Sequence, residues 1–229
     1  MSAKIKVLFF DIDGTLCEYG LAPNVALRHA CEAVGIDVEL DHQEYYDLYR
    51  VVQAERGSVG YEGISDEAYR RLLAAHGWDD PAVARKVAAR YRRDRLDSIE
   101  LYPETRDVLD AVHGDYPLGI ISNGPGEIQW AKVEKFHLQS YFTTVVISGE
   151  VGPEKPEAAI FRLALERLNG EAGASAHIGD NPRDDVRGAR GAGLTSIWVN
   201  RGVFPSPRGN ARPHHEIPDL RELLPLLAG

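Results

Sequence analysis

The sequence of 229 residues has few cysteines, no excess of basic residues and no long apolar run. Two cysteines, Cys17 and Cys31, are too few for a disulfide framework, so we expect a reducing, cytoplasmic environment. The net charge of −9 argues against a nucleic-acid partner, because phosphate backbones bind basic surfaces. No apolar run reaches the roughly 20 residues of a membrane-spanning helix, so we expect no membrane partner. The first residues lead directly into a strand-like segment, and we expect no signal peptide.

Short apolar runs, each followed by a polar or glycine-rich cluster, recur along the chain. They lie at residues 7–10, 118–121, 142–147, 176–178 and 196–199. Continuously apolar runs are typical of strands that are buried on both faces of a parallel sheet. Amphipathic segments between them predict helices, so we expect an α/β fold with a Rossmann-like, doubly wound parallel sheet. Ligands bind such a sheet beyond the carboxyl ends of its strands, which is where the polar clusters lie.

The interval from residue 17 to residue 96 lacks this alternation and contains only helix-like segments. About 80 helical residues between the first two predicted strands are too many for a simple crossover connection. We therefore predict a Rossmann-like core formed by residues 1–16 and 97–229, with a helical cap domain formed by residues 17–96 inserted into it.

Two aspartates, Asp11 and Asp13, follow the first predicted strand two positions apart. Their mutual repulsion is costly without a cation, and Mg²⁺ prefers oxygen ligands, so the pair is a candidate part of a magnesium site. Gly14 allows a sharp turn where a Cβ atom would clash, and Thr15 belongs to the same turn. The alternative is an acidic turn that ends the strand. A calcium loop is disfavoured, because apolar residues follow in place of further acidic ligands.

A second acidic cluster follows a later strand. It contains Asp180, Asp184 and Asp185, which could complete a metal site with Asp11. The alternative is that Asp180 or Asp184 caps the helix that follows, with Asp185 favoured by the helix dipole. Both interpretations can hold for different members of the cluster.

Two more motifs contain groups suited to an anion. Ser122 and Asn123 end a predicted strand, and their polar groups and the free backbone N–H groups of the turn could form a small anion cradle. An ordinary turn is the alternative. Lys155 lies between prolines in a loop before a predicted helix, where its ammonium could neutralise a phosphoryl oxygen. A solvated surface lysine is the alternative there.

The four motifs, in this order at successive strand ends, resemble those of the haloacid dehalogenase-like hydrolase superfamily over essentially the whole chain. The resemblance implies that Asp11 is the nucleophile, which forms an aspartyl-phosphate, and that Asp13 is the general acid and base. It also implies that Asp11, the Asp13 carbonyl and Asp180 hold Mg²⁺. Asp185 and Asp184 would support the site, although relatives often carry Asn at the position of Asp184.

The resemblance also assigns the remaining motif residues. Ser122 and the backbone of Asn123 would bind phosphoryl oxygens, and Lys155 would steady both the nucleophile and the phosphate. Gly14 and Thr15 would support the turn after the nucleophile. Neutralisation by Mg²⁺ and Lys155 would let a carboxylate attack a phosphate of the same charge.

The second aspartate of the first motif separates two reactions within this superfamily. Dehalogenases generally lack it, because a halide leaves without a proton, so Asp13 favours phosphate ester hydrolysis. We expect a Mg²⁺-dependent phosphatase that acts on a small phosphorylated metabolite. The alternative is a sugar phosphomutase of the same superfamily, which shares the core motifs. A non-enzymatic phospho-receiver-like module is more remote, because its acids occur in another order in a shorter chain.

Overall fold

A computed structural model of the chain describes residues 4–56, 61–207 and 212–228. The chain forms two compact units. The first, which we call the core unit, combines Met1–Glu18 with Leu101–Gly229, and the second, the helical unit, comprises Tyr19–Glu100. None of the helices in the described ranges combines the length and the apolar character that crossing a membrane requires.

The strands are short, and three of them are fully buried. In chain order they are β1 (Val7–Phe10), β2 (Cys17–Tyr19), β3 (Ile99–Leu101), β4 (Leu118–Ser122), β5 (Thr144–Ile147), β6 (Ser175–Gly179), β7 (Thr195–Val199) and β8 (His215–Ile217). Every residue of β1, β4 and β6 is buried. Burial on both faces explains why these strands are continuously apolar in sequence.

The helices separate the strands of the core unit and make up most of the helical unit. In chain order they are α1 (Pro23–Glu32), α2 (His42–Arg56), α3 (Tyr61–Ala75), α4 (Pro81–Asp97), α5 (Thr105–His113), α6 (Gly126–Lys135), α7 (Ser148–Val151), α8 (Ala158–Arg167), α9 (Arg187–Gly191) and α10 (Leu223–Ala228). A single turn of π-helix, Pro182–Val186, precedes α9.

Six strands of the core unit form one parallel sheet in the order β5-β4-β1-β6-β7-β8. The predicted α/β class with a doubly wound parallel sheet is thereby confirmed. Strand β1 lies between β4 and β6, with Phe10 beside Ile120 on one side and Ile178 on the other. The chain builds outward from β1 first on one side and then on the other. The carboxyl end of β1 is therefore the topological switch point, where such sheets bind ligands.

The sheet and α8 share an apolar core. Aliphatic and aromatic side chains from β1, β4 and β5 meet those of α8 and α9 there. The fully buried members are Phe9, Ile121, Val146, Ile160, Phe161, Ala164 and Ala189. This packing fixes the strand ends that carry the polar motifs.

The helical unit has its own core, formed by α1, α2, α3 and α4. Its fully buried residues are Ala26, Leu27, Ala30, Val52, Ala68, Tyr69, Leu73, Val87 and Ala88. The rings of Tyr45 and Tyr69 stack with their centroids 4.1 Å apart. Helix α4 begins where sequence rules place a start, because Asp80 accepts hydrogen bonds from the backbone of Ala82 and Val83 and Pro81 follows the cap.

The expectation that residues 17–96 contain no strand was wrong at the first residues of that interval. Strand β2, Cys17–Tyr19, pairs with β3, Ile99–Leu101, in a two-stranded sheet. The chain passes from the core unit to the helical unit within β2 and returns within β3. Each strand has three residues, too few for a periodicity, so only their pairing reveals them.

Candidate active site

The polar motifs converge at the carboxyl ends of three neighbouring strands. Asp11 and Asp13 follow β1, Ser122 is the last residue of β4, and Asp180 follows β6. Because β1 lies between β4 and β6, residues that are more than 150 positions apart in the sequence reach the same place. All of the residues described below belong to the core unit.

A buried lysine joins the first motif to the last. Nζ of Lys155 donates hydrogen bonds to Oδ1 of Asp11 at 2.7 Å, to Oδ1 of Asp185 at 2.7 Å and to the carbonyl of Ile121 at 2.9 Å. The Lys155 side chain is 3% exposed, and those of Asp11 and Asp185 are 9% and 2% exposed. A solvated surface lysine is therefore the wrong interpretation of Lys155.

Burial and charge change the acidity of this trio in different directions. Burial raises the pKa of Asp11 to about 7 even though the Lys155 ammonium opposes that shift. Burial acts in the same direction on Asp185, but the Lys155 ammonium and the hydrogen bond from His177 outweigh it and lower its pKa. Burial alone would lower the pKa of Lys155, and its two carboxylate partners raise it instead. Lys155 is therefore a permanent cation at the site.

Three carboxylates are close enough to share one cation. Ligand oxygens of Asp11, Asp180 and Asp185 all lie within 4.8 Å of one another. Burial and the negative charges of Asp11 and Asp185 raise the pKa of Asp180 to about 8. The three carboxylates lie close together, and Lys155 alone does not balance their negative charge. Such a cluster fits Mg²⁺, which takes carboxylate ligands and retains several waters.

Two glycines let the backbone approach these carboxylates. Gly14 has a φ of +75°, and a Cβ atom added to it would lie 2.2 Å from Oδ2 of Asp180. A Cβ atom on Gly179 would lie 2.2 Å from Cγ of Asp185. Both distances are far below van der Waals contact, so any side chain here would displace a candidate ligand.

The aspartates of the last motif have different surroundings. Asp185 contacts Lys155 and accepts a hydrogen bond from the backbone N–H of Asn181, whereas Asp184 accepts one from Nδ2 of Asn181 at 3.2 Å. The candidate metal cluster contains Asp185 and not Asp184. The alternative interpretation, in which Asp180 or Asp184 caps the following helix, is wrong: the cap is Asn181, whose Oδ1 accepts from the backbone N–H groups of Arg183 and Asp184.

Asn123 ties the second motif to the lysine loop. Its Nδ2 donates to the Lys155 carbonyl at 2.9 Å, and its Oδ1 accepts from the Lys155 backbone N–H at 2.8 Å. The backbone N–H of Gly124 donates to Oγ of Ser148 at 3.0 Å. The side chain of Asn123 therefore fixes the position of Lys155. The backbone of Asn123 remains the group assigned to an anion.

The turn after the nucleophile is held from outside the motif. Arg201 donates hydrogen bonds to the carbonyls of Gly14 and Thr15, each at 3.1 Å, and forms an ion pair of 2.8 Å with Glu104. Thr15 is fully buried, and its Oγ1 has no hydrogen-bond partner among the described residues. The first-motif turn is thus clamped through its backbone.

Besides Arg201, three further residues that sequence reasoning missed contact aspartates of the motifs. Gln129 and Lys132 of α6 both contact the Asp13 carboxylate, and Nε2 of His177 lies 2.8 Å from Oδ1 of Asp185. Burial lowers the pKa of His177, so its neutral ring donates this hydrogen bond. The signal available for Gln129 and Lys132 was their spacing of three on a predicted helix, which places both on one face.

Comparison with known proteins supports one family. A family model described as a haloacid dehalogenase-like hydrolase matches residues 5–193. The glyceraldehyde 3-phosphate phosphatase of Methanopyrus kandleri is 30% identical over an alignment of 227 positions, which covers 96% of each chain. The phosphoserine phosphatase of Thermus thermophilus is 39% identical over 159 residues. That match covers 69% of this chain and spans 63% of the length of the Thermus protein.

Solved structures have the same fold. The magnesium-bound HAD-hydrolase YfnB of Bacillus subtilis superposes with a TM-score of 0.74 at 24% identity, over 98% of this chain and 99% of that one. A 2-haloacid dehalogenase from Pseudomonas syringae also has a TM-score of 0.74, at 26% identity and 98% coverage of both chains. From the match of the family model and the full-length relative, the chain belongs to the haloacid dehalogenase-like hydrolases.

Proposed function

We propose that this hydrolase is a Mg²⁺-dependent phosphatase, which cleaves a small phosphate monoester through an aspartyl-phosphate on Asp11. The observation that carries the proposal is the shared position of Asp11: it is paired with the Lys155 ammonium and lies in the carboxylate cluster with Asp180 and Asp185. A nucleophilic carboxylate needs both neighbours, because its charge and that of the phosphate repel each other.

The proposed reaction has two steps. An oxygen of Asp11 attacks phosphorus while the ester P–O bond breaks, and Asp13 gives its proton to the leaving oxygen to form an alcohol. Water then attacks phosphorus, Asp13 accepts a proton from it, and the bond from phosphorus to Asp11 breaks. The products are inorganic phosphate and a regenerated Asp11 carboxylate.

The other residues hold the reacting groups in place. Lys155 balances charge on Asp11 and on a phosphoryl oxygen, while Ser122 and the Asn123 backbone bind further phosphoryl oxygens. Asp11, the Asp13 carbonyl and Asp180 would hold Mg²⁺, with Asp185 in support. Bound Mg²⁺ would supply neutralisation of the carboxylates and of the phosphate.

Asp13 separates this reaction from dehalogenation. Its side chain is 38% exposed, so a leaving oxygen can reach it. An alkoxide needs a proton to leave and a halide does not. The fold likeness to the Pseudomonas dehalogenase therefore does not extend to its reaction in our proposal, which follows the two phosphatase relatives.

A screen of phosphorylated metabolites with purified protein and Mg²⁺ tests the proposal. The screen begins with phosphoserine and glyceraldehyde 3-phosphate, the compounds in the relatives' names. Released phosphate and isomerised product are both measured, because isomerisation without phosphate release identifies a phosphomutase instead. D11N should lose activity by a factor on the order of 10⁴ or more.

The matched control is D115N, since Asp115 is an exposed aspartate of the core unit. It should retain the parental rate. Substantial turnover by D11N would reject Asp11 as the nucleophile, and full activity after removal of metal with EDTA would reject the role of Mg²⁺.

A further inference from the structure

One face of α6 has two buried polar residues that the scheme above does not use. Gln129 is 1% exposed and Lys132 is 2% exposed. Burying an ammonium or an amide costs free energy unless it forms hydrogen bonds, and an apolar residue would fill the same space without that cost. Both side chains end at Asp13.

Lys132 fixes the Asp13 carboxylate through both of its oxygens. Its Nζ lies 2.7 Å from Oδ1 and 2.6 Å from Oδ2 of Asp13. A cation that engages both oxygens opposes rotation of the carboxylate and aligns its plane. The lysine is buried while Asp13 remains partly exposed, so the carboxylate is held from the protein side with one side open.

Gln129 connects Asp13 to the second motif. Its Nε2 lies 3.0 Å from Oδ2 of Asp13, 2.9 Å from the Asn123 carbonyl and 2.6 Å from Oγ of Ser122. The carboxylate and the carbonyl can only accept, which fixes the orientation of the amide. The amide nitrogen can only donate, and its two hydrogens serve three acceptors, so one hydrogen is shared between two of them and Ser122 accepts in its contact. The hydroxyl hydrogen of Ser122 is therefore not used on Gln129 and can point to a phosphoryl oxygen.

The site contains two buried lysines with separate tasks. Lys155 pairs with Asp11 and Asp185, on the side of the candidate metal ligands. Lys132 pairs with Asp13, the group that our scheme assigns to proton transfer. Proton transfer depends steeply on donor geometry, because the acid must be within hydrogen-bond reach of the leaving oxygen.

We propose that Lys132 and Gln129 are positioning residues of this enzyme: Lys132 aims the Asp13 carboxyl group at the leaving oxygen, and Gln129 couples that group to the Ser122 hydroxyl. The inference rests on the proposed function, since it presumes that Asp13 is the general acid. Neither residue touches the phosphate in this proposal.

The test is the dependence of kcat/KM on the leaving group. The probes are 4-nitrophenyl, phenyl and 4-methoxyphenyl phosphate, which have similar shapes and leaving phenols of decreasing acidity. The value of kcat/KM reports only steps up to the first bond cleavage, where the acid acts. Poorly acidic phenols depend on the acid more strongly, so misplacing Asp13 steepens the dependence, whereas a general structural defect lowers all three rates equally.

K132M should lower kcat/KM for phenyl phosphate by about 10- to 100-fold, and for 4-nitrophenyl phosphate several-fold less. K132R should recover part of the loss, because it restores the cation. Q129M should steepen the dependence of kcat/KM on the leaving group less than K132M does. It should also raise KM, because Ser122 loses the donor that orients its hydroxyl. The matched control is K135M, an exposed lysine on the same helix, which should behave as the parent does.

D13N provides the reference for a missing acid. If D13N makes kcat/KM depend steeply on the leaving group while K132M lowers kcat/KM equally for all three probes, the positioning role is wrong and the proposed function stands. If D13N does not steepen the dependence of kcat/KM on the leaving group, Asp13 is not the general acid, and the positioning role of Lys132 and Gln129 is rejected with it. The double variant D13N/K132M should be no slower than D13N, and a further uniform loss would assign Lys132 another role. If K132M does not fold, Q129M and K132R decide between the same outcomes.

Discussion

The core unit and the helical unit both contain many charged side chains, but they place them differently. In the core unit, Lys155 and Asp185 form an ion pair in which the two side chains are 3% and 2% exposed. In the helical unit, the pair of Arg71 and Glu55 is 29% and 49% exposed. Buried charges incur a desolvation cost that solvated pairs avoid.

This difference in burial indicates which charged side chains belong to a functional site. A buried cation that touches two carboxylates is worth its desolvation cost only if the cluster does something that an apolar core cannot. In α4 of the helical unit, two further arginines form ion pairs that are also partly exposed: Arg90 with Asp94 at 2.7 Å and Arg92 with Asp66 at 3.2 Å. Four predictions test this contrast between the units.

The largest effect is expected for K155M. It leaves Asp11 and Asp185 buried without their shared cation, which should lower the free energy of unfolding by about 3–5 kcal/mol. The kcat value should fall at least about 100-fold. Because the carboxylate cluster then has a larger uncompensated negative charge, Mg²⁺ should raise the Tm of K155M by more than it raises the parental Tm.

Urea unfolding and a phosphatase assay measure these effects. The comparison variant is R71M in the helical unit, whose kcat should stay near the parental value. Equal losses of kcat in the two variants would remove the distinction between the units.

The second prediction compares two glycines with positive φ. Gly14 in the core unit has a φ of +75° and Gly77 in the helical unit has +90°, but only Gly14 faces another residue within 4 Å. G77A should cost about 1–2 kcal/mol of stability from backbone strain and leave activity intact. G14A adds a clash with Asp180 and should weaken Mg²⁺ binding at least about tenfold. Calorimetric Mg²⁺ titration checks this, and equal Mg²⁺ affinity in both variants would contradict it.

The third prediction concerns pH. In the metal-free protein, burial raises the pKa of Asp11 to about 7 and that of Asp180 to about 8. A folded-state pKa above the unfolded value means that the folded state binds protons more tightly, so stability falls as pH rises from about 4 through 8. Mg²⁺ competes with those protons, so its affinity should rise over the upper part of that range.

Thermal melts at pH 6 and pH 8.5, with and without Mg²⁺, measure this linkage. The increase in Tm from Mg²⁺ should be larger at pH 8.5. The control is D180N, in which the difference between the two pH values should shrink. An increase in Tm that is the same at both pH values would count against Asp11 and Asp180 as ligands.

The smallest effect is expected for D66N in the helical unit. Its pair with Arg92 is partly exposed, with side chains 27% and 13% accessible, so the substitution should cost about 0.2–1 kcal/mol. Added salt should shrink that loss, because it screens the pair. Urea unfolding at low and high salt measures it. A loss well above 2 kcal/mol would show that this unit also depends on individual charges.

Sequence patterns were sufficient for the features that depend on near neighbours along the chain. The continuous apolar runs predicted β1, β4 and β6, and the amphipathic segments between the runs predicted helices, of which α5 (Thr105–His113) is one. The resemblance to the family followed from motif order and is confirmed by the family match. Strands β2 and β3 escaped detection, because three residues have no period and are stabilised by pairing across 80 residues.

The sequence by itself determined the α/β class, the order of the strands and motifs along the chain, and the presence of two aspartates at the end of β1. Local composition is sufficient for these, because backbone propensity and apolar periodicity are properties of short segments. Tertiary structure alone decided which side chains from distant segments meet: that Lys155 bonds to both Asp11 and Asp185, and that Lys132 reaches Asp13. Such contacts depend on strand order and helix rotation, which no single segment encodes.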